Sequence, residues 1–182
     1  MMIINKGEKK AVSLTVKTFI IDPEEMKAPP AEIACLIQKI IESDAPTADL
    51  EELIGDEGVS EMELCTEATL TVNDRGLVVI EYPENEDDEQ LRATCKIIFH
   101  PDHGGLVSMI KEGAVRTYLS FEAGKMHVCT YNTPFIPLKI YVETRAVDNR
   151  LLSEGAMRLN YVLNFEDNPP QHFLLDFCMK EV

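Results

Sequence analysis

From Val12 to Met179, apolar residues fall on every second position in segment after segment, with turn residues between the segments. Successive side chains of a β-strand point to opposite faces, so this period of two specifies an antiparallel sheet with one buried face. The cleanest stretch is Met157, Leu159, Tyr161, Leu163 and Phe165. Similar sets are Val12, Leu14, Val16 and Ile20; Met62, Leu64, Ala68, Leu70 and Val72; and Leu91, Ala93, Cys95, Ile97 and Phe99. Tight turns separate them at Asn73-Asp74-Arg75-Gly76 and Glu122-Ala123-Gly124-Lys125. The spacing predicts roughly nine to eleven strands in a meander. Open edges on so large a sheet invite aggregation, and closure into an up-and-down barrel removes them.

One segment breaks the period. Residues 23–58 are predicted to form a helical insertion between the first and second strands. Within it, Ile33, Leu36, Ile37, Ile40 and Ile41 recur at helical spacing over residues 31–42 and form one apolar stripe. Burying that stripe over a barrel mouth is the simplest expectation, and a dimer contact is the alternative. A length of 182 residues fits one domain, 1–182.

Charge and cysteine usage narrow the function classes. The net charge is −15, and residues 40–91 hold seventeen acids against the single base Arg75. Such a field repels nucleic-acid phosphates, so no nucleic-acid partner is expected. A solvated acidic surface is the plain reading, and a docking face for a basic protein is the sharper one. No apolar run is long enough for a transmembrane helix, and no membrane partner is expected. The N-terminal MMIINKGEKK lacks the apolar core of a signal peptide, and the expected compartment is the cytoplasm. Cys35, Cys65, Cys95, Cys129 and Cys178 are odd in number and widely spaced without C-x-x-C, which predicts reduced thiols.

The string SMIKEGAVRTYLSFEAGKMHVCTYNTPF, followed by LKIYVETR and GAMRLNYVLNF, resembles the YwiB-like family of bacterial proteins. The elements that carry the resemblance are Gly113, Phe121-Glu122-x-Gly124-Lys125, Tyr131-x-Thr133-Pro134, Thr144 and Tyr161-x-Leu163, with Glu81-Tyr82-x-Glu84 upstream. The chain departs from the family where Ile136-Pro137 stands in place of a glycine, and where Asp22 to Gly58 intervenes after the first strand. The resemblance implies a calycin or lipocalin-like β-barrel. It implies no activity, cofactor or catalytic residue.

Candidate chemistry is sparse. G-x-S-x-G, Walker, G-x-G-x-x-G and H-E-x-x-H motifs are all absent, so no catalytic residue and no cofactor is predicted. His100, Asp102 and His103 in HPDHGG are the weak metal candidates, against a plain reading as a polar turn. The acidic loop Glu84 to Glu89 lacks calcium-loop spacing. On adjacent strands, Arg116 and Tyr118 face His127 and Tyr131 as potential cross-strand neighbours. They form a polar cluster if they line a pocket, and a solvent face if Val115, Leu119, Phe121, Met126 and Val128 are the core set. The polar members of the inward set are expected to be Thr117, Thr130, Tyr161 and either His172 or Asp176. The candidate ligand-binding residues are Glu81, Tyr82, Arg116, Thr117, Tyr118, His127, Thr130, Tyr131 and Tyr161.

Two functions follow as expectations. The first is a barrel that holds a small, largely apolar molecule. The second is an interaction module with a packed core, using its acidic face or its helix to bind a basic partner or a second copy. An enzyme ranks third, with Arg116, His127 and Glu81 the first residues to inspect.

Overall fold

A computed structural model describes residues 2–22, 59–85, 87–132, 137–165 and 169–182, with His103 and Gly104 as backbone only. The strands are β1 (Lys9–Ile21), β2 (Val59–Val72), β3 (Val78–Glu84), β4 (Ala93–His100), β5 (His103–Gly113), β6 (Arg116–Glu122), β7 (Met126–Asn132), β8 (Pro137–Arg150), β9 (Ala156–Phe165) and β10 (Gln171–Glu181). Each pairs antiparallel with the next, and β1 closes the sheet against β10. The result is the closed up-and-down barrel that the alternation predicts, with ten strands. The predicted helix over 31–42 lies outside the described residues. No helix among the described residues is long and apolar enough to cross a membrane.

The interior is built from the period-two sets. Val12, Leu14, Leu70, Ile80, Ile97, Phe121, Val142, Leu159 and Phe177 are buried in one apolar cluster. One mouth is plugged by a helical turn, α1 (Leu151–Glu154), between β8 and β9. Its Leu151 is buried in the core cluster, and the N-terminal segment joins it through a Met2 N–H donated to the Leu152 carbonyl at 2.7 Å. Gly155 ends the turn with a φ of 75°, and its carbonyl accepts from Met179 N–H at 2.7 Å. Only glycine fits there, since a Cβ would stand 2.4 Å from the Met179 carbonyl oxygen. An open pocket of about 230 Å³ lies beside this plug, lined by Met2, Leu152, Glu154 and Met179 among others.

The β6–β7 register overturns one expectation. Thr117 pairs with Tyr131, and Tyr118 with Thr130. Directly opposed residues share a face, so the inward Thr117, Leu119 and Phe121 require Tyr131, Cys129 and His127 to face inward as well. Met126 and Val128, read as core from hydropathy, are therefore on the outside, 61% and 62% exposed. Thr130, expected inward, is exposed too. His172 and Asp176 also point outward, because they alternate with the core residues Leu175 and Phe177.

Candidate functional site

The mouth opposite α1 differs in chemistry from the rest of the interior. Tyr82 on β3 pairs with Cys95 on β4, Cys95 with Lys111 on β5, and Lys111 with Thr117 on β6, which pairs in turn with Tyr131 on β7. These pairings set one polar row around the inner wall. One rung nearer the opening, Glu84 pairs with Ala93 and sends its carboxylate to the Lys111 ammonium. The side chains of Lys111 and Glu84 are 36% and 23% exposed, so this ion pair sits at the boundary between core and solvent.

The surroundings tune each group. Burial alone would lower the Lys111 pKa, but the hydrogen bond and charge of Glu84 outweigh it and hold the ammonium above its ordinary value. Burial, reinforced by the Glu84 charge, pushes the Cys95 thiol up to about 12. Burial likewise raises the Tyr82 phenol, with Cys95 and Glu84 adding to the effect. Both groups are neutral near pH 7 and serve as hydrogen-bonding groups. Tyr161, opposite Thr144 on β8, is raised by burial as well. Its ring lies 4.7 Å from Phe121 and stacks on Phe173 at 5.2 Å. The Thr144 hydroxyl is fully buried with no hydrogen-bond partner among the described residues. A buried polar atom without a partner is costly and marks a place where a water or a ligand atom would be stabilised.

Only part of the predicted cluster comes together. Tyr82, Thr117 and Tyr131 join the row, and Tyr161 lies inside the barrel. Arg116 and Tyr118 are exposed on the outer wall, where Arg116 pairs with Glu112 at 3.0 Å and Tyr118 with the Ser108 hydroxyl at 3.3 Å. His127 faces inward, so no Arg–Tyr–His cluster forms. Its Nε2 is buried without a hydrogen bond among the described residues, 3.8 Å from the Glu122 carboxylate. Glu81 is exposed and pairs with Lys96 at 3.2 Å. At the HPDHGG turn, His100 Nδ1 accepts from the Asp102 N–H at 3.2 Å. Among the described residues, no group of three His, Cys, Asp or Glu is placed to hold a metal.

Sequence reasoning missed Lys111 and Cys95 as members of this row, and Glu84 as the carboxylate against it. Glu84 reads as the start of an acidic loop, yet β3 runs through it. The signal was present in parity: Ile80, Tyr82 and Glu84 share one face of a strand, and so do Lys111 and Met109.

A family model described as a domain of unknown function (DUF1934) matches residues 51–176. The chain belongs to that family. The matched span contains every residue of the polar row, while β1 precedes it. Among solved structures, the chain is similar to that of the ywiB protein from Bacillus subtilis, at 15% identity and a TM-score of 0.55, covering 93% of this chain and 92% of that one. The resemblance read from the SMIKEG and GAMRLNYVLNF stretches is thereby borne out, and at this identity the structural likeness speaks to fold alone. No curated protein matches the chain.

Proposed function

We propose that the protein is a lipocalin-like carrier that binds a small, largely apolar molecule inside the mouth opposite α1. The apolar body lies against Tyr161, Phe173 and Leu163, and a polar group reaches the Glu84–Lys111 pair. The observation that carries the reading is the inward polar row at that mouth, in an interior built mainly of aliphatic and aromatic side chains. Buried polar groups are expensive unless something satisfies them, and the orphaned Thr144 hydroxyl deeper in the barrel adds to the argument. Strand number supports it too. Side chains just fill a barrel of about eight strands, and the diameter grows with each strand added. Because Glu84 cancels the charge of Lys111, the group recognised is a neutral hydrogen-bonding one, a hydroxyl or carbonyl.

Native mass spectrometry of the protein purified without added ligand tests this directly. The expected result is a non-covalent adduct of small-molecule mass that is lost on denaturation. Titration with decanol and decanoate follows, with decanol binding the tighter of the two. No adduct and no binding of either probe overturns the reading.

A second reading rests on the outer wall. Leu106, Tyr118, Met126 and Val128 are exposed apolar residues of β5, β6 and β7. A wall of this kind suits a partner or a second copy. A monomeric mass in light scattering that is unchanged by Val128→Lys removes the second copy from that reading.

A further inference from the structure

The barrel wall is notched between β2 and β3. On one side, β1 holds β2 along almost its whole length, from Ile21 opposite Val59 to Lys9 opposite Thr71. On the other side, β2 pairs with β3 only from Thr69 to Val72. Continued at that register, Pro83 falls opposite Glu67, and Glu84, the last residue of β3, opposite Thr66. Proline has no N–H to donate, and the ladder stops short of it. Residues 59–65 lie beyond the end of β3, with no strand beside them on that side among the described residues. Along an antiparallel strand, successive residues turn their N–H and C=O groups to opposite sides. Alternate residues of 59–68 therefore point their backbone groups into the notch, where they find no backbone partner among the described residues.

The side chains specify which strand this edge accepts. Glu61, Glu63 and Glu67 stand with Cys65 on the outer face, and all four are exposed. One cation, Lys17, lies 3.5 Å from Glu61 and 3.4 Å from Glu63, so the row keeps a net negative charge. On the inner face, Leu64 packs against the core and Met62 is 56% exposed. The edge of β2 already in use shows the match. On β1, Lys17 opposes Glu63, Thr15 opposes Cys65 and Val16 opposes Leu64.

We propose that the free edge of β2, residues 59–68, is a strand-addition site for an extended peptide in which basic and apolar residues alternate. The peptide main chain continues the ladder into the notch. Its basic side chains lie against Glu61, Glu63 and Glu67, and its apolar ones extend the face of Met62 and Leu64. A second copy of the chain is the wrong occupant, because two β2 edges set side by side bring glutamates together. Neither the interior nor a ligand in it enters into this pairing, so it holds whether the barrel is filled or empty.

The antiparallel complement of residues 61–67 is the peptide Lys-Val-Thr-Val-Lys-Val-Lys. Fluorescence anisotropy of its labelled form with the full chain measures the affinity, and hydrogen exchange locates the contact. Saturable binding is expected, with amides of 59–68 exchanging at least ~10-fold more slowly in the complex and β5 to β7 unchanged. Two control peptides separate the causes. Lys-Val-Pro-Pro-Lys-Val-Lys keeps every charge, and with two successive prolines one lost N–H faces β2 whichever way the strand lies. Glu-Val-Thr-Val-Glu-Val-Glu keeps the strand and reverses the charge. Each is expected to bind at least ~10-fold more weakly than the lysine peptide. The variant Glu63→Lys/Glu67→Lys is expected to prefer the glutamate peptide. No binding of the lysine peptide, equal binding of the proline peptide (charge attraction alone), or protection centred outside β2 overturns the proposal. So does protection of 59–68 that rises with protein concentration in the absence of peptide, the sign of a second copy. Should the double variant fail to fold, the three peptides still decide on the wild type.

Discussion

Replacing Lys111 with Met leaves the Glu84 carboxylate at the barrel mouth without its cation, and the size of the penalty follows from where the pair sits. Exposed ion pairs contribute about 0–1 kcal/mol, and breaking a fully buried one costs about 3–5 kcal/mol. With side chains 36% and 23% exposed, Lys111 and Glu84 lie between those limits. Lys111→Met is therefore expected to cost about 1–2 kcal/mol, and Glu84→Gln a similar amount. The double variant is the informative one. Each single change strands a charge, whereas the double removes both and leaves a neutral mouth. Its cost is expected to fall short of the sum of the singles by about 1 kcal/mol, the coupling of two groups in direct contact. Urea unfolding at pH 7 measures all three, and about 1 kcal/mol corresponds to roughly 2–4 °C in melting temperature for a domain of this size. The raised Lys111 pKa fixes the sign with pH. Its stabilising share is complete below the unfolded-state value and is lost as pH rises through the higher folded-state value, so the coupling fades in strong alkali and not in mild acid. Additive single costs at pH 7, or coupling that vanishes between pH 7 and pH 5, would refute this account of the mouth.

Two further outcomes are expected. Gly155→Ala forces a Cβ to within 2.4 Å of the Met179 carbonyl at a φ of 75°, whereas Gly124→Ala, at the same φ, meets open space. The first is expected to cost more than about 2 kcal/mol and the second about 1 kcal/mol, as read by thermal unfolding; equal costs count against the α1 plug. Iodoacetamide at pH 8 is expected to modify the exposed Cys65 and Cys178 of the native protein while sparing buried Cys95 and Cys129. With its thiol pushed up to about 12, Cys95 holds ~10³-fold less thiolate than an ordinary cysteine, and peptide mapping that finds it labelled as fast as Cys178 contradicts its burial.

The fold was legible because the sheet obeys a strict two-residue period, and that period survives nearly everywhere it is read. Ile80, Ile97, Leu159 and Phe177 are apolar at the parity that closes the core, so each strand declares its inner face without help from its neighbours. Legibility failed where a strand carries apolar residues on both faces or polar residues on the inner one. In β7, Met126 and Val128 outweigh His127 and Tyr131 in hydropathy, yet the hairpin register with β6 decides the face. Local composition carries no record of that register. In β1, Phe19 and Ile21 break the alternation because that end of the strand is apolar on both sides, a pattern that by itself does not separate inside from outside.

The candidate site was harder to read for a related reason. Its members come from five strands, β3 to β7, spread from Tyr82 to Tyr131, and no two neighbours in the row are closer than six residues in sequence. A motif search sees residues at short fixed spacing, whereas a barrel assembles a row from one residue per strand, so the chemistry is written across the sheet and not along the chain. Lys111 shows the consequence. Along the chain it is one lysine beside Glu112 in a polar stretch. Across the sheet it stands between Cys95 and Thr117 with the Glu84 carboxylate against it, and only that setting makes it a half-buried, neutralised charge at the barrel's polar mouth.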